Sequence, residues 1–154
     1  MLQNFESLVL IWLGIGFITF ITLLKIPAPY GKFSKTNWGP MIPSKLGWIV
    51  MEIISPLALL YFFLNGNIEK TPTNITFISL WTLHYFNRSV IYPLRQNNPA
   101  QMPLIIAVLA FLFNVMNGYI NGTYFGSIQE YSAEYMSNWN FIVGVCLFII
   151  GAYI

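Results

Sequence analysis

The chain has 154 residues, of which 56% are hydrophobic, 18% aromatic and only 8% charged, with a formal net charge of +2. Soluble domains carry about 25% charged residues, so this composition excludes an ordinary soluble domain and points to the bilayer. The small charge offers no footprint for nucleic acid, and the lone Cys146 excludes a disulfide framework or a thiolate metal cluster.

A membrane span needs about 20 apolar residues. The first candidate, 5–24, is not read as a signal peptide. Glu6 stands where a basic n-region belongs, the first lysine is Lys25, and no small-residue cleavage site follows. Loop 25–45 is rich in Pro and Gly and is expected to be non-helical. Further spans are expected at 46–64, 75–94 and 103–121, with Pro99 to Pro103 marking the turn into the fourth. A fifth begins near Phe141 and reaches Ile154, which is short of a full crossing. The expectation is one membrane domain over 1–154, an all-α integral membrane bundle of antiparallel helices, forming the N-terminal part of a longer protein or a truncated product. The Asn-x-Ser/Thr matches at Asn74, Asn87 and Asn121 lie in or beside spans and are poor candidates for glycosylation.

Charge assigns the orientation. Lys25, Lys32, Lys35 and Lys45 lie in loop one and Arg95 in loop three, whereas loop four carries Glu130 and Glu134 and no base. The positive-inside rule puts loops one and three in the cytoplasm and the N-terminus outside or in a lumen. The expected location is a multi-pass protein of a bacterial inner membrane or the endoplasmic reticulum.

Glu52 is the residue that most needs explaining. An ionisable group at membrane depth is costly and marks a functional site by default. It lies six residues into its span, about 9 Å deep at 1.5 Å per residue. The third span runs back and brings Tyr85 and Arg88 to the same layer. Tyr85, Arg88 and Tyr92 share a helix face. On the fourth span Asn114, Asn117 and Asn121 form an amide stripe, with Gly118 and Gly122 permitting close approach of backbones. Plainer roles exist for each. Glu52 and Arg88 can be an ion pair joining two helices, Arg88 can reach for headgroups, and the asparagines can be helix–helix glue.

Several strings resemble the steroid 5α-reductase family. They are Pro29-Tyr30-Gly31-Lys32, Gly47-Trp48-Ile49-Val50-Met51-Glu52, Leu83-His84-Tyr85-Phe86-Asn87-Arg88, Ile91-Tyr92-Pro93-Leu94, Met102-Pro103 and Asn117-Gly118-Tyr119. The resemblance implies a bundle of seven helices, about five of them here, enclosing NADPH and a lipid-like or steroid enone. It implies that Glu52 and Tyr85 hold the substrate carbonyl while hydride adds to the β-carbon. Charge then develops on oxygen, where placed donors stabilise it; a carboxyl in an apolar layer can carry a proton and act as one. By the same resemblance Trp48, Phe113, Asn117 and Tyr30 contact substrate, Arg88 and Tyr92 lie on the cofactor side, and no metal takes part. The chain departs from the family where Asn87 replaces a frequent His, and in a shortened stretch before Phe141. The family's Asn-x-His-Ser-Asp motif, with most of the NADPH contacts, would begin after Ile154. The alternatives are a related membrane methyltransferase scaffold and a non-catalytic truncated membrane protein.

Overall fold

The computed structural model describes residues 2–97 and 101–153, the side chain of Lys32 excepted. Pro99, expected in the turn before the fourth span, and the expected endpoint Ile154 lie outside the described residues. The chain is helical almost throughout. Helix α1 (Leu2–Lys25) leads through a loop to strand β1 (Met41–Pro43) and helix α2 (Ser44–Leu64). Helix α3 (Pro72–Phe86) passes into a π-helical turn, Asn87–Ile91, and a short α4 (Tyr92–Arg95). Strand β2 (Gln101–Pro103) starts α5 (Leu104–Thr123), which ends in a second π-helical turn, Tyr124–Ile128. A 3₁₀ turn, Ala133–Ser137, precedes α6 (Trp139–Tyr153). Among the described residues, three runs are long and apolar enough to cross a membrane: Leu2–Lys25, Ser44–Leu64 and Leu104–Ile128.

The helix starts follow from local chemistry. Thr71 caps α3 by accepting from the Asn74 amide at 3.2 Å, and Pro72 occupies the first turn, where its missing N–H costs nothing. Pro43 and Pro103 each close a strand and begin a helix. The two strands pair antiparallel, Met41 with Pro103 and Pro43 with Gln101, and the Leu104 amide donates to the Pro40 carbonyl at 2.8 Å. Loop one is therefore mostly irregular as its prolines require, but it contributes a strand that binary patterning does not reveal.

The strand pair makes α2 and α5 start side by side and run parallel. Asn114 Nδ2 donates to the Met51 carbonyl at 2.7 Å. Four residues further along each helix, Gly118 lies against Ser55, then Gly122 against Leu59, then Gly126 against Phe63. A Cβ on Gly118 would stand 2.7 Å from the Ser55 carbonyl oxygen, and one on Gly122 2.6 Å from that of Leu59. Only glycine allows helices to pack this closely, which is the seam expected of small residues in membrane bundles. Helix α3 runs the other way, since Trp81 meets Ser55 while the later Arg88 meets the earlier Glu52.

Apolar packing forms two layers. One holds Met51, Met102 and Ala107 near the strand pair; the other holds Leu59, Phe63 and Ile78 at the far end. At that far end Asn74 is fully buried. Its amide donates to the carbonyls of Phe125 and Gln129 at 3.1 Å each, and its oxygen accepts from the Tyr131 amide. The sequon at Asn74 is thus a structural clasp. Helices α1 and α6 have no buried residues among those described. Helix α1 meets α5 through Trp12 and Phe113, whose rings are 5.5 Å apart.

Candidate active site

Glu52 lies on the face of α2 that is turned toward α3 and is 5% exposed. Pro56, four residues on, lacks the N–H that would bond the Glu52 carbonyl, so the helix is locally weakened at this residue. The carboxylate Oε1 accepts from Arg88 Nη2 at 2.6 Å. Arg88 comes from the π-helical turn, a feature often found at functional sites because it re-aims side chains. Pro93 favours that turn, because it offers no N–H to the Ser89 carbonyl. The guanidinium also lies over the Trp48 ring at 5.1 Å, and Trp48 meets Tyr92 edge-on at 5.1 Å.

Tyr85 stands one turn before Arg88. Its ring stacks on Trp81 at 5.3 Å, and Trp81 Nε1 donates to Ser55 Oγ of α2 at 3.3 Å. Its hydroxyl oxygen accepts from Asn117 Nδ2 of α5 at 3.4 Å. His84 meets Tyr85 edge-on and is electrostatically close to both Arg88 and Glu52. Tyr85 and Tyr30 both lie within electrostatic reach of Arg88.

Two cavities flank these groups. One, of about 710 Å³, is walled by Trp48, His84, Asn87, Arg88, Tyr92 and Arg95, with α6 closing one side. The other, of about 740 Å³, is an apolar slot between α1 and α5 that includes Phe113 and Asn117. The structure therefore brings Trp48, Glu52, Arg88 and Tyr92 into one group and Tyr85 and Asn117 into a second beside it. Phe113 lies apart, facing α1. Glu52 is an acceptor in this arrangement, where the sequence reading has it as a donor; the guanidinium beside it is the physical reason. The amide stripe also divides. Asn114 is glue to α2, whereas Asn117 reaches Tyr85 and Asn121 bonds Asn117. Sequence reasoning missed Trp81 and Ser55 as supports; Trp81 at i−4 from Tyr85 was the available signal. Among the described residues no three His, Cys, Asp or Glu side chains gather as a metal site.

Residues 100–154 match the family model described as 3-oxo-5-alpha-steroid 4-dehydrogenase. Over 143 residues the chain is 38% identical to steroid 5-alpha-reductase DET2 of Gossypium hirsutum, covering 88% of this chain and 55% of that protein. The chain is a relative of the steroid 5-alpha-reductases. The Arabidopsis thaliana protein of the same name is 36% identical, with the same coverage. The 3-oxo-5-alpha-steroid 4-dehydrogenase 1 of Bos taurus is 26% identical, over 95% of this chain and 58% of its own length. The chain thus spans a little over half the length of these reductases. The matched stretch takes in α2, α3 and α5, the helices that carry the grouped side chains.

Proposed function

We propose that this chain forms the substrate-holding part of a membrane reductase that saturates the C=C bond of a conjugated enone, such as a 3-oxo-Δ4-steroid, at the expense of NADPH. The observation that carries this reading is the pairing of Glu52 with Arg88 and, beside it, of Tyr85 with Asn117, contributed by α2, by α3 with its π-helical turn, and by α5. The steroid reductases among the relatives supply the substrate class.

The polar cavity of about 710 Å³ suits the cofactor. Its wall joins two guanidiniums, Arg88 and Arg95, to the aromatic faces of Trp48 and Tyr92, a donor set for an anionic, partly aromatic molecule. Arg88 and Tyr92 would hold it. When bound, NADPH supplies the hydride. The chain's own residues act at the other end of the enone. As the β-carbon becomes saturated, negative charge gathers on the carbonyl oxygen, and the Tyr85 hydroxyl donates to it. Glu52 becomes the second donor only when it carries a proton, so Arg88 must turn away from it in the reacting complex. The apolar slot beside Phe113 and Asn117 accommodates the hydrocarbon body, and the enolate takes the proton that completes its α-carbon from solvent.

Steady-state kinetics of the intact protein in membranes test this. Tyr85→Phe and Glu52→Gln should each lower turnover of a steroid enone by about 10²–10³, the usual cost of one oxyanion donor, with NADPH affinity little changed. Arg88→Ala should instead weaken NADPH binding. Undiminished turnover in Tyr85→Phe defeats the proposal.

A further inference from the structure

The mechanism above requires that Tyr85 spend its single proton on the substrate. A phenol is both donor and acceptor and its proton rotates freely, so something must direct it. The amide of Asn117 meets Tyr85 with its nitrogen, at 3.4 Å from the hydroxyl oxygen. An amide nitrogen can only donate, so Tyr85 can only accept on that side. The orientation of Asn117 is itself set from below. Asn121 Nδ2 donates to the Asn117 backbone carbonyl at 2.9 Å and to its side-chain Oδ1 at 3.2 Å. With Oδ1 held by Asn121, the Asn117 nitrogen is the atom left to face Tyr85.

We infer that Asn121 and Asn117 form a positioning relay that fixes the direction of the Tyr85 proton. Every link has one polarity: Asn121 donates to Asn117, Asn117 donates to Tyr85, and Tyr85 is left to donate outward. The ring is held independently. Trp81 stacks against it and is tied to Ser55, and the Ser55 carbonyl is also the surface on which Gly118 rests. The ring plane is therefore set from α2 and the proton direction from α5. This rests on Tyr85 being the donor to the substrate oxygen. Asn117 acts through Tyr85 whether or not it also touches substrate, and Asn121 is a positioning residue, one helical turn further from the chemistry.

Two variants test it, the first of them isosteric. Asn121→Asp offers only acceptors to Asn117. The Asn117 amide should then turn its nitrogen toward position 121 and its oxygen toward Tyr85, drawing the phenolic proton inward. Asn117→Ala removes the contact. The first readout needs no turnover. Ultraviolet resonance Raman of the tyrosine Fermi doublet reports whether a phenol accepts or donates, and subtraction of the Tyr85→Phe spectrum isolates Tyr85. The parent should show an accepting phenol, Asn117→Ala one without that acceptance, and Asn121→Asp a donating one. The second readout is kinetic. Asn121→Asp should lower kcat roughly 10- to 100-fold, the scale of a misdirected reacting group, with KM little changed. In a Tyr85→Phe background it should add nothing, since the relay then has no proton to direct. An unchanged doublet in both variants, or a full additional loss in that background, overturns the relay. If the doublet responds as described but Tyr85→Phe turns over normally, the relay stands and the enone-reductase reading falls.

Discussion

Arg88 illustrates how one side chain can serve two readings of a site. Its side chain is 40% exposed, whereas the side chain of its partner Glu52 is 7% exposed. Removing the guanidinium leaves a nearly buried carboxylate without compensation. Arg88→Ala should therefore destabilise the bundle by about 1–3 kcal/mol, less than a fully buried pair because Arg88 is partly open. Unfolding in mixed detergent micelles measures this. The Glu52→Gln/Arg88→Ala double variant should recover part of the loss, and failure to recover any would show that the pair is not what holds these helices. Tyr131, in loop four, offers a test in pH. Burial first, then a hydrogen bond with Tyr124, pushes its phenol up to about 12. The folded state thus keeps the proton at pH values where the unfolded chain releases it. With fewer protons on the unfolded chain, stability falls as pH rises. The contribution of this phenol should be intact below about 10 and lost between about 10 and 12. Tyr131→Phe should flatten that part of the alkaline unfolding curve.

At the scale of elements, the glycine seam decides how near α5 comes to α2. A methyl group on Gly118 would stand 2.7 Å from both the Ser55 oxygen and the Ala58 Cβ. Helix backbone cannot give way as a flexible side chain does, so Gly118→Ala should cost about 1–3 kcal/mol and move Asn117 off Tyr85. Loss of stability without any change at Tyr85 would separate packing from aim. The seam was legible in the sequence because small residues at every fourth position have one obvious use. The meeting of Glu52 with Arg88 was legible as well, since depth follows from counting residues along opposed helices. The π-helical turns were not legible. The first depends on where the missing N–H of Pro93 is tolerated, and the second, Tyr124–Ile128, has no proline near it to mark it. The fate of Asn74 was equally hidden, because its partners Phe125, Gln129 and Tyr131 lie far along the chain.

For the whole molecule, opposed helix directions place loop one and Gln96–Asn97 after α4 on one side and loop four on the other. Cysteines substituted at Lys35 and Asn97 should react with an impermeant thiol reagent from the same face, and one at Glu130 from the opposite face. The positive-inside rule makes the cytoplasm the expected side of the first face, and labelling of Lys35→Cys from outside intact cells would reverse that expectation. The strand pair on that face has a further bearing on how the sequence can vary. It works as an index mark from which both α2 and α5 are counted. One residue inserted between Pro43 and Glu52 would turn the carboxyl by about 100° and advance it about 1.5 Å, with nothing downstream to correct the error. The same insertion ahead of Met41 would be absorbed by the irregular loop. Length changes can therefore accumulate in loop one, whereas the stretches from each strand to its polar side chains are measured distances.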